Sequence, residues 1–190
     1  MLKDNIVRTA IRLYVREGIR GVNMDRVADA LHISKKTIYK LFGNKEQLLE
    51  ECFRREVMRM ARIIQNVQFE AQSSIEAIVR TCMCLFGSYS YVCPSFRRDV
   101  VSFPLINMFW EKCQSELERQ CEINFISGVD EGDFLPGQNY KLIAAILIEQ
   151  VWQLKPPFHM LVISTTLRGV CTPQGVEKLS QLISEVKYQS

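Results

Sequence analysis

The stretch "SKKTIYKLFGNKEQLL", Ser34–Leu49, decides how the rest of the chain is read. It holds two short helical segments separated by Gly43. Ser34 is a natural N-cap, because its hydroxyl can accept a hydrogen bond from a free amide of the first turn. Ile38, Leu41 and Phe42 follow as an apolar side at helical spacing. Gly43 stops this helix, and Asn44 with Gln47 has the capping-box spacing that opens the next. The first turn breaks a local rule. Helix N-termini carry partial positive charge and favour Asp or Glu, yet Ser34 is followed by Lys35 and Lys36. Cations there are costly in isolation and become favourable beside an external anion.

The flanking sequence frames this segment with more helix. From Lys3 to Glu17, Ile6, Ala10, Leu13 and Tyr14 share one face, and Gly18 and Gly21 end the run. Asn23 offers an N-cap to a short second helix, with Asp25 in its first turn and Val27, Ala28 and Leu31 as apolar positions. Beyond Asn44, Leu49, Phe53, Val57, Met60 and Ile64 mark a long fourth helix. Two short helices around a tight turn at His32, buttressed by longer ones, have the outline of a helix-turn-helix unit.

With Ile38, Leu41 and Phe42 turned inward, the third helix presents Lys35, Lys36, Thr37, Tyr39 and Lys40 outward. Lysines reach phosphates and guanine acceptor edges, threonine offers a hydroxyl and a methyl, and tyrosine can bond a phosphate. A helix of this size fits the DNA major groove and meets bases through its N-terminal residues. Lys45, in the first turn of the next helix, adds a cation where backbone amides also favour an anion. Charge supports the same partner. Residues 1–62 hold 14 Lys and Arg against 8 Asp and Glu, or +6, while residues 63–190 hold 10 against 13, or −3. A basic head on a mildly acidic body points to a polyanion.

The remaining chain is helical throughout. Helices are expected over Ile75–Tyr89, Leu105–Ser127 closed by Gly128, Tyr140–Leu154, Phe158–Val170 and Val176–Lys187. Pro94 and Pro104 bound a short segment, and Pro156 and Pro157 break the late helices. No segment alternates as a strand does, so the fold class is all-α.

Composition bounds the alternatives. The chain has 190 residues, 47% hydrophobic and 24% charged, which suits a globular protein with a sizeable core. No apolar run reaches the roughly 18 residues of a membrane span; Leu142–Trp152 is shorter and contains Glu149 and Gln150. The N-terminus lacks a signal-peptide core, so a cytoplasmic location without a membrane partner is expected. The seven cysteines (52, 82, 84, 93, 113, 121 and 171) form no CxxC and, with His32 and His159 the only histidines, predict no metal site and no cofactor. Nucleotide-loop, zinc-protease and nucleophile-elbow motifs are absent, which argues against an enzyme.

The segment "VNMDRVADALHISKKTIYKLFGNKEQLLEECF" resembles the DNA-binding signature of the tetracycline-repressor (TetR) family of bacterial regulators. The matching residues are Val27, Ala28, Leu31, Ser34, Lys36, Thr37, Ile38, Tyr39, Phe42, Lys45, Glu46, Leu48 and Leu49, preceded by Gly18 and Gly21. His32 stands where a glycine is common, and Lys36 where a small residue is common. The resemblance implies a three-helix helix-turn-helix DNA-binding domain at residues 1–46, joined by a long helix to a helical ligand-binding and dimerisation domain at residues 47–190. It further implies a homodimer on a palindromic double-stranded DNA operator, usually repressing, and released by a small-molecule effector. Carried over by position, Lys35, Lys36, Thr37 and Lys40 face bases or nearby phosphates. Ser34 opens that helix, Tyr39 and Lys45 hold phosphate, and Asn23 or Met24 approaches the DNA backbone.

In this family two late helices usually form the dimer interface. Ile146, Glu149, Gln150, Phe158, Leu161, Val162, Thr165 and Leu167 are the candidates here. An apolar or aromatic effector pocket is expected among Met83, Phe86, Tyr89, Phe103, Met108, Phe109, Trp110 and Trp152, with the break from Tyr91 to Pro104 as a gate. Two alternatives stand beside this reading: a thiol-based redox regulator using Cys82, Cys84 or Cys93, and a helical binding protein whose DNA function is lost.

Overall fold

The computed structural model describes residues 1–89, 92–153 and 158–187, without the side chains of residues 88, 89, 152, 153, 159, 186 and 187. Within them are α1 (Leu2–Glu17), α2 (Met24–Ala30), α3 (Lys35–Phe42), α4 (Lys45–Glu70) and α5 (Ser74–Tyr89). These are followed by α6 (Pro94–Ser102), α7 (Pro104–Asp130), α8 (Tyr140–Gln153), α9 (Phe158–Arg168) and α10 (Pro173–Lys187). The all-α expectation holds among the described residues, where the one β-type pairing is a single bridge between Phe134 and Cys171. No described helix is long and apolar enough to cross a membrane.

The chain divides into two compact units. The first comprises Met1–Ala61 and Tyr91–Cys113. Its core gathers Ile6, Ala10 and Tyr14 of α1, Val27 of α2, Ile38 and Phe42 of α3, Leu48 and Cys52 of α4, and also Phe96 and Val100 of α6. Phe96 stacks on Phe53 of α4 with ring centroids 6.0 Å apart. Two polar contacts tie α6 to the end of α1 and the turn after it. The Cys93 amide donates to the Val15 carbonyl at 2.9 Å, and the Arg20 amide donates to Asp99 Oδ2 at 2.9 Å.

The second unit comprises Arg62–Ser90 and Gln114–Ser190. Its centre is α5, whose Ile75, Ile78, Val79, Cys82, Leu85 and Phe86 are buried as α8, α9 and α10 pack around it. Such a helix is apolar on most of its circumference because it has neighbours on most sides. Phe125, Phe134 and Tyr140 meet at one end, with Phe125 4.9 Å from each of the other two rings. Asp133, fully buried, is held by Lys178 at 2.8 Å and by Gln174 at 3.2 Å.

Gly128 departs from expectation. It does not end its helix, because α7 runs on to Asp130. A side chain there would stand 2.4 Å from a ring carbon of Phe134, so the glycine admits that ring against the helix. The turn is made instead by Gly132, with φ 79°.

Candidate nucleic-acid interface

The head's DNA-facing candidates are placed by three caps and two unusual turns. Asn23 caps α2 by accepting from the Arg26 amide at 2.8 Å. Ser34 caps α3, its Oγ accepting from the Thr37 amide at 3.1 Å and lying 2.7 Å from Thr37 Oγ1. Asn44 accepts from the Gln47 amide at 2.8 Å at the start of α4. Each expected cap therefore forms.

Between α2 and α3 the chain makes a Schellman motif. The Ile33 amide donates to the Ala28 carbonyl and the His32 amide to the Asp29 carbonyl, both at 3.1 Å. The motif demands a left-handed residue, and His32 supplies it with φ 54°. That is the physical reason a glycine suits the position. Between α3 and α4, Gly43 has φ 69° and ψ −65°, and the Asn44 amide donates back to the Phe42 carbonyl at 2.7 Å. This is a γ-turn of the strained, positive-φ form, which strongly favours glycine. It is what sets α3 and the first turn of α4 in fixed relation.

On α3, Ile38 is fully buried and Phe42 is 5% exposed, while Leu41 is 38% exposed and does not join the core face. A helix this short needs only one inward line, and the 38–42 pair supplies it. Lys36, Tyr39 and Lys40 are exposed, and neither lysine has an ion pair among the described residues. Lys35 is different. Its Nζ lies 2.5 Å from Oδ2 of Asp25, in the first turn of α2, and this hydrogen bond holds the ammonium above its ordinary pKa. The cation misplaced on α3 is thus matched by the acid that α2 needs for its own N-terminus. Lys45 is half-buried at the first residue of α4, and burial pushes its ammonium pKa down.

Met24 corrects the sequence reading. Its side chain is 3% exposed and belongs to the head core, so only its backbone can approach DNA. Sequence reasoning also missed three pairings that hold this surface. Asp25 restrains Lys35; Glu17 clamps Arg26 through two bonds of 3.2 and 2.8 Å; and Asp99 receives the Arg20 amide. An acid at the α2 N-terminus was visible, but its partner ten residues on was not.

The other candidate positions divide. Leu142, Ile146, Phe158 and Leu161 are 55%, 44%, 58% and 64% exposed, an apolar outward surface on α8 and α9. Glu149 and Thr165 are exposed and Val162 is half-buried. Leu167 is fully buried within its own unit and cannot form an interface. The Gln150 Oε1 is likewise buried. Among pocket candidates, Met83 is half-buried and Phe86 is 7% exposed in the second unit. Phe103 and Trp110 pack on the core of the first unit, Phe109 is half-buried, and Met108, 54% exposed, lines no interior. The side chains of Tyr89 and Trp152, and residue Tyr91, lie outside the described residues.

Residues 6–52 match the family model described as bacterial regulatory proteins, tetR family. The chain is 29% identical over 77 residues to the biofilm operon icaADBC HTH-type negative transcriptional regulator IcaR of Staphylococcus aureus (strain Newman). That match covers 40% of this chain and 41% of the relative, so the chain spans about two fifths of the curated relative's length. Solved structures share the fold over nearly the whole chain. A TetR-family transcriptional regulator from Marinobacter aquaeolei VT8 aligns with TM-score 0.77 at 17% identity, covering 97% of this chain and 98% of that one. The TetR family protein CprB from Streptomyces coelicolor, solved with its biological operator sequence, aligns with TM-score 0.76 at 16% identity, covering 98% and 96%. Residues 6–52, with their capped α2–α3 unit, thus match the tetR family of bacterial regulatory proteins, and the chain shares its fold over nearly its whole length with solved regulators of that name.

Proposed function

We propose that this protein is a DNA-binding transcriptional regulator that represses from a palindromic operator as a homodimer and is released by a small apolar or aromatic effector. The observation that carries the reading is α3. Its apolar residues Ile38 and Phe42 are buried while Lys36, Tyr39 and Lys40 stand exposed, the two lysines without ion pairs among the described residues. Lys36 is thus an unpaired cation in the first turn of α3, where the helix dipole disfavours it and an external phosphate would offset it. Lys40 extends the same basic surface from the last turn. In this reading residues 1–46 read DNA. Residues 47–190 bind effector and dimerise through the apolar surface of Leu142, Ile146, Phe158 and Leu161. Lys36, Thr37 and Lys40 face bases, with Tyr39 and Lys45 on phosphates and Asn23 and the Met24 backbone at the groove edge.

The fold and the relatives support regulation without chemistry, and IcaR, a negative regulator by name, favours repression. Selection of bound duplexes from a random pool tests the proposal. A palindrome with half-sites about one helical turn or more apart is expected, with affinity that falls steeply with salt. Enrichment of no sequence, or binding indifferent to salt, overturns it.

A further inference from the structure

Three side-chain atoms inside the second unit are buried without a hydrogen-bond partner: Gln68 Nε2 on α4, Thr81 Oγ1 on α5 and Gln150 Oε1 on α8. Buried polar groups are nearly always paired, and an unpaired one lowers stability until something satisfies it. The helix register brings these three to a similar depth. α5 and α8 start at the same place: Ser74 donates from its amide and its hydroxyl to Glu131, and Tyr140 stacks on Phe125 beside Phe134. A side chain on Gly128 would touch both Phe134 and Ser74, which joins the two starts.

α5 and α8 pack together from there. At about 1.5 Å per residue, Thr81 stands about 10 Å along α5 and Gln150 about 15 Å along α8. α4 ends beside the first turns of α5, where Glu70 pairs with Arg80 at 3.6 Å, so Gln68, two residues before that end, stands about 3 Å along the same direction. Side chains lean toward the N-terminus of their own helix, so Gln68 on α4 leans up and Gln150 on α8 leans down, and the two together close most of the height that remains.

All three groups are neutral. Together they offer a donor, an acceptor and a hydroxyl that can act as either. Among the described residues, the one buried charged side chain of this unit is Asp133, already held by Lys178 and Gln174. An ionised ligand head would be stripped of water there without a countercharge.

We propose that Gln68, Thr81 and Gln150 form the polar end of the effector site, and that the effector is an uncharged molecule carrying an amide, lactam or hydroxy-carbonyl group on an apolar body. This deepens the ligand-responsive reading above and rests on it for the regulatory consequence alone. An amide satisfies the set in both directions: its carbonyl accepts from Gln68, its N–H donates to Gln150, and Thr81 adapts to either.

The test uses full-length wild type, Thr81→Val and Gln150→Leu, melted alone and with octanamide, octanol or octanoate. Release of a labelled selected duplex is followed in parallel. Ligand-free variants are expected to melt at or above wild type, because an unpaired polar group is replaced by an apolar one. Octanamide should raise the wild-type Tm, octanol less so, and octanoate not at all. Each variant should bind octanamide roughly tenfold more weakly, the loss of one good hydrogen bond. Lower melting of both ligand-free variants overturns the proposal, since it shows the groups already paired. So does octanoate matching octanamide, octanamide failing to bind wild type, or octanamide binding the variants unchanged. Octanamide binding without release of DNA leaves this site standing and overturns the ligand-responsive part of the function instead.

Discussion

Replacing Asp25 with asparagine should tighten DNA binding. In the free protein Lys35 Nζ lies 2.5 Å from Asp25 Oδ2, with the lysine 62% and the aspartate 38% exposed. To neutralise a phosphate, Lys35 has to leave this carboxylate or carry its negative charge toward the DNA. Asparagine keeps the size and place of Asp25 and removes the charge that holds Lys35. One further phosphate contact steepens the slope of log K against log salt by about 0.9, which at about 0.1 M salt corresponds to about eightfold tighter binding. The assay is anisotropy of a labelled duplex over a range of NaCl, with Asp25→Asn and Lys35→Met made singly and together. Lys35→Met should cost little in the wild-type background and about eightfold in the Asp25→Asn background. Equal cost in both backgrounds refutes the reasoning, because the gain from Asp25→Asn would then come from removing a repulsive charge and not from freeing a lysine.

Four other outcomes follow from the turns, the packing and the thiols. His32→Gly should raise Tm by about 2 °C, since relief of about 1–2 kcal/mol of left-handed strain outweighs about 0.5–1 kcal/mol of added chain entropy; a lower Tm would show that the imidazole makes a contact worth more than the strain. Gly43→Ala should cost about 1–3 kcal/mol in a urea titration, because φ 69° with ψ −65° is closed to alanine, and should weaken binding to all duplexes alike. Gly128→Ala should cost about 1–3 kcal/mol by overpacking, as its methyl would meet the buried Phe134 ring at 2.4 Å; an unchanged Tm would mean the ring has room to move. Burial pushes the Cys82 thiol up to about 12 and that of Cys121 well above the ordinary thiol range. Both should therefore stay protonated at pH 8 and escape iodoacetamide in the native protein, while labelling in urea; prompt native labelling of Cys82, read by peptide mass spectrometry, would favour the redox alternative at that thiol.

Much of the head was legible because it is built from local rules. Asn23, Ser34 and Asn44 cap the helices their positions predict, since a cap is decided by residues three apart. Spacing was less informative on α3, where Leu41 fits an apolar side as well as Ile38 yet points outward. On α9, Leu167 follows Leu161 and Val162 in sequence but lies four residues from buried Ile163, on the inward face, while Leu161 and Thr165 stand on the outward one. Gly128 read as a stop and is a close-approach glycine, which depends on Phe134 arriving from a later turn. The partners of the acids that organise the surface were hidden for the same reason. Asp99 bonds an amide 79 residues earlier in the chain, and no local pattern signals such a partner. Gln150 stood among the interface candidates and no sequence pattern singled out Gln68 or Thr81; only three-dimensional burial sets the three apart.

The discontinuity of the first unit has a consequence during synthesis on the ribosome. Its core needs Phe96, Val100 and Ile106 as well as α1 to α4, so residues 1–61 emerge with an apolar surface that nothing yet covers. At about 5–20 residues per second, translation to Cys113 takes about 3–10 s longer than translation to Ala61. For that interval the nascent head is an unfinished, basic chain with apolar side chains that its own core has yet to cover. Completion of the core that supports α2 and α3 is thereby deferred until α6 and the start of α7 have been made.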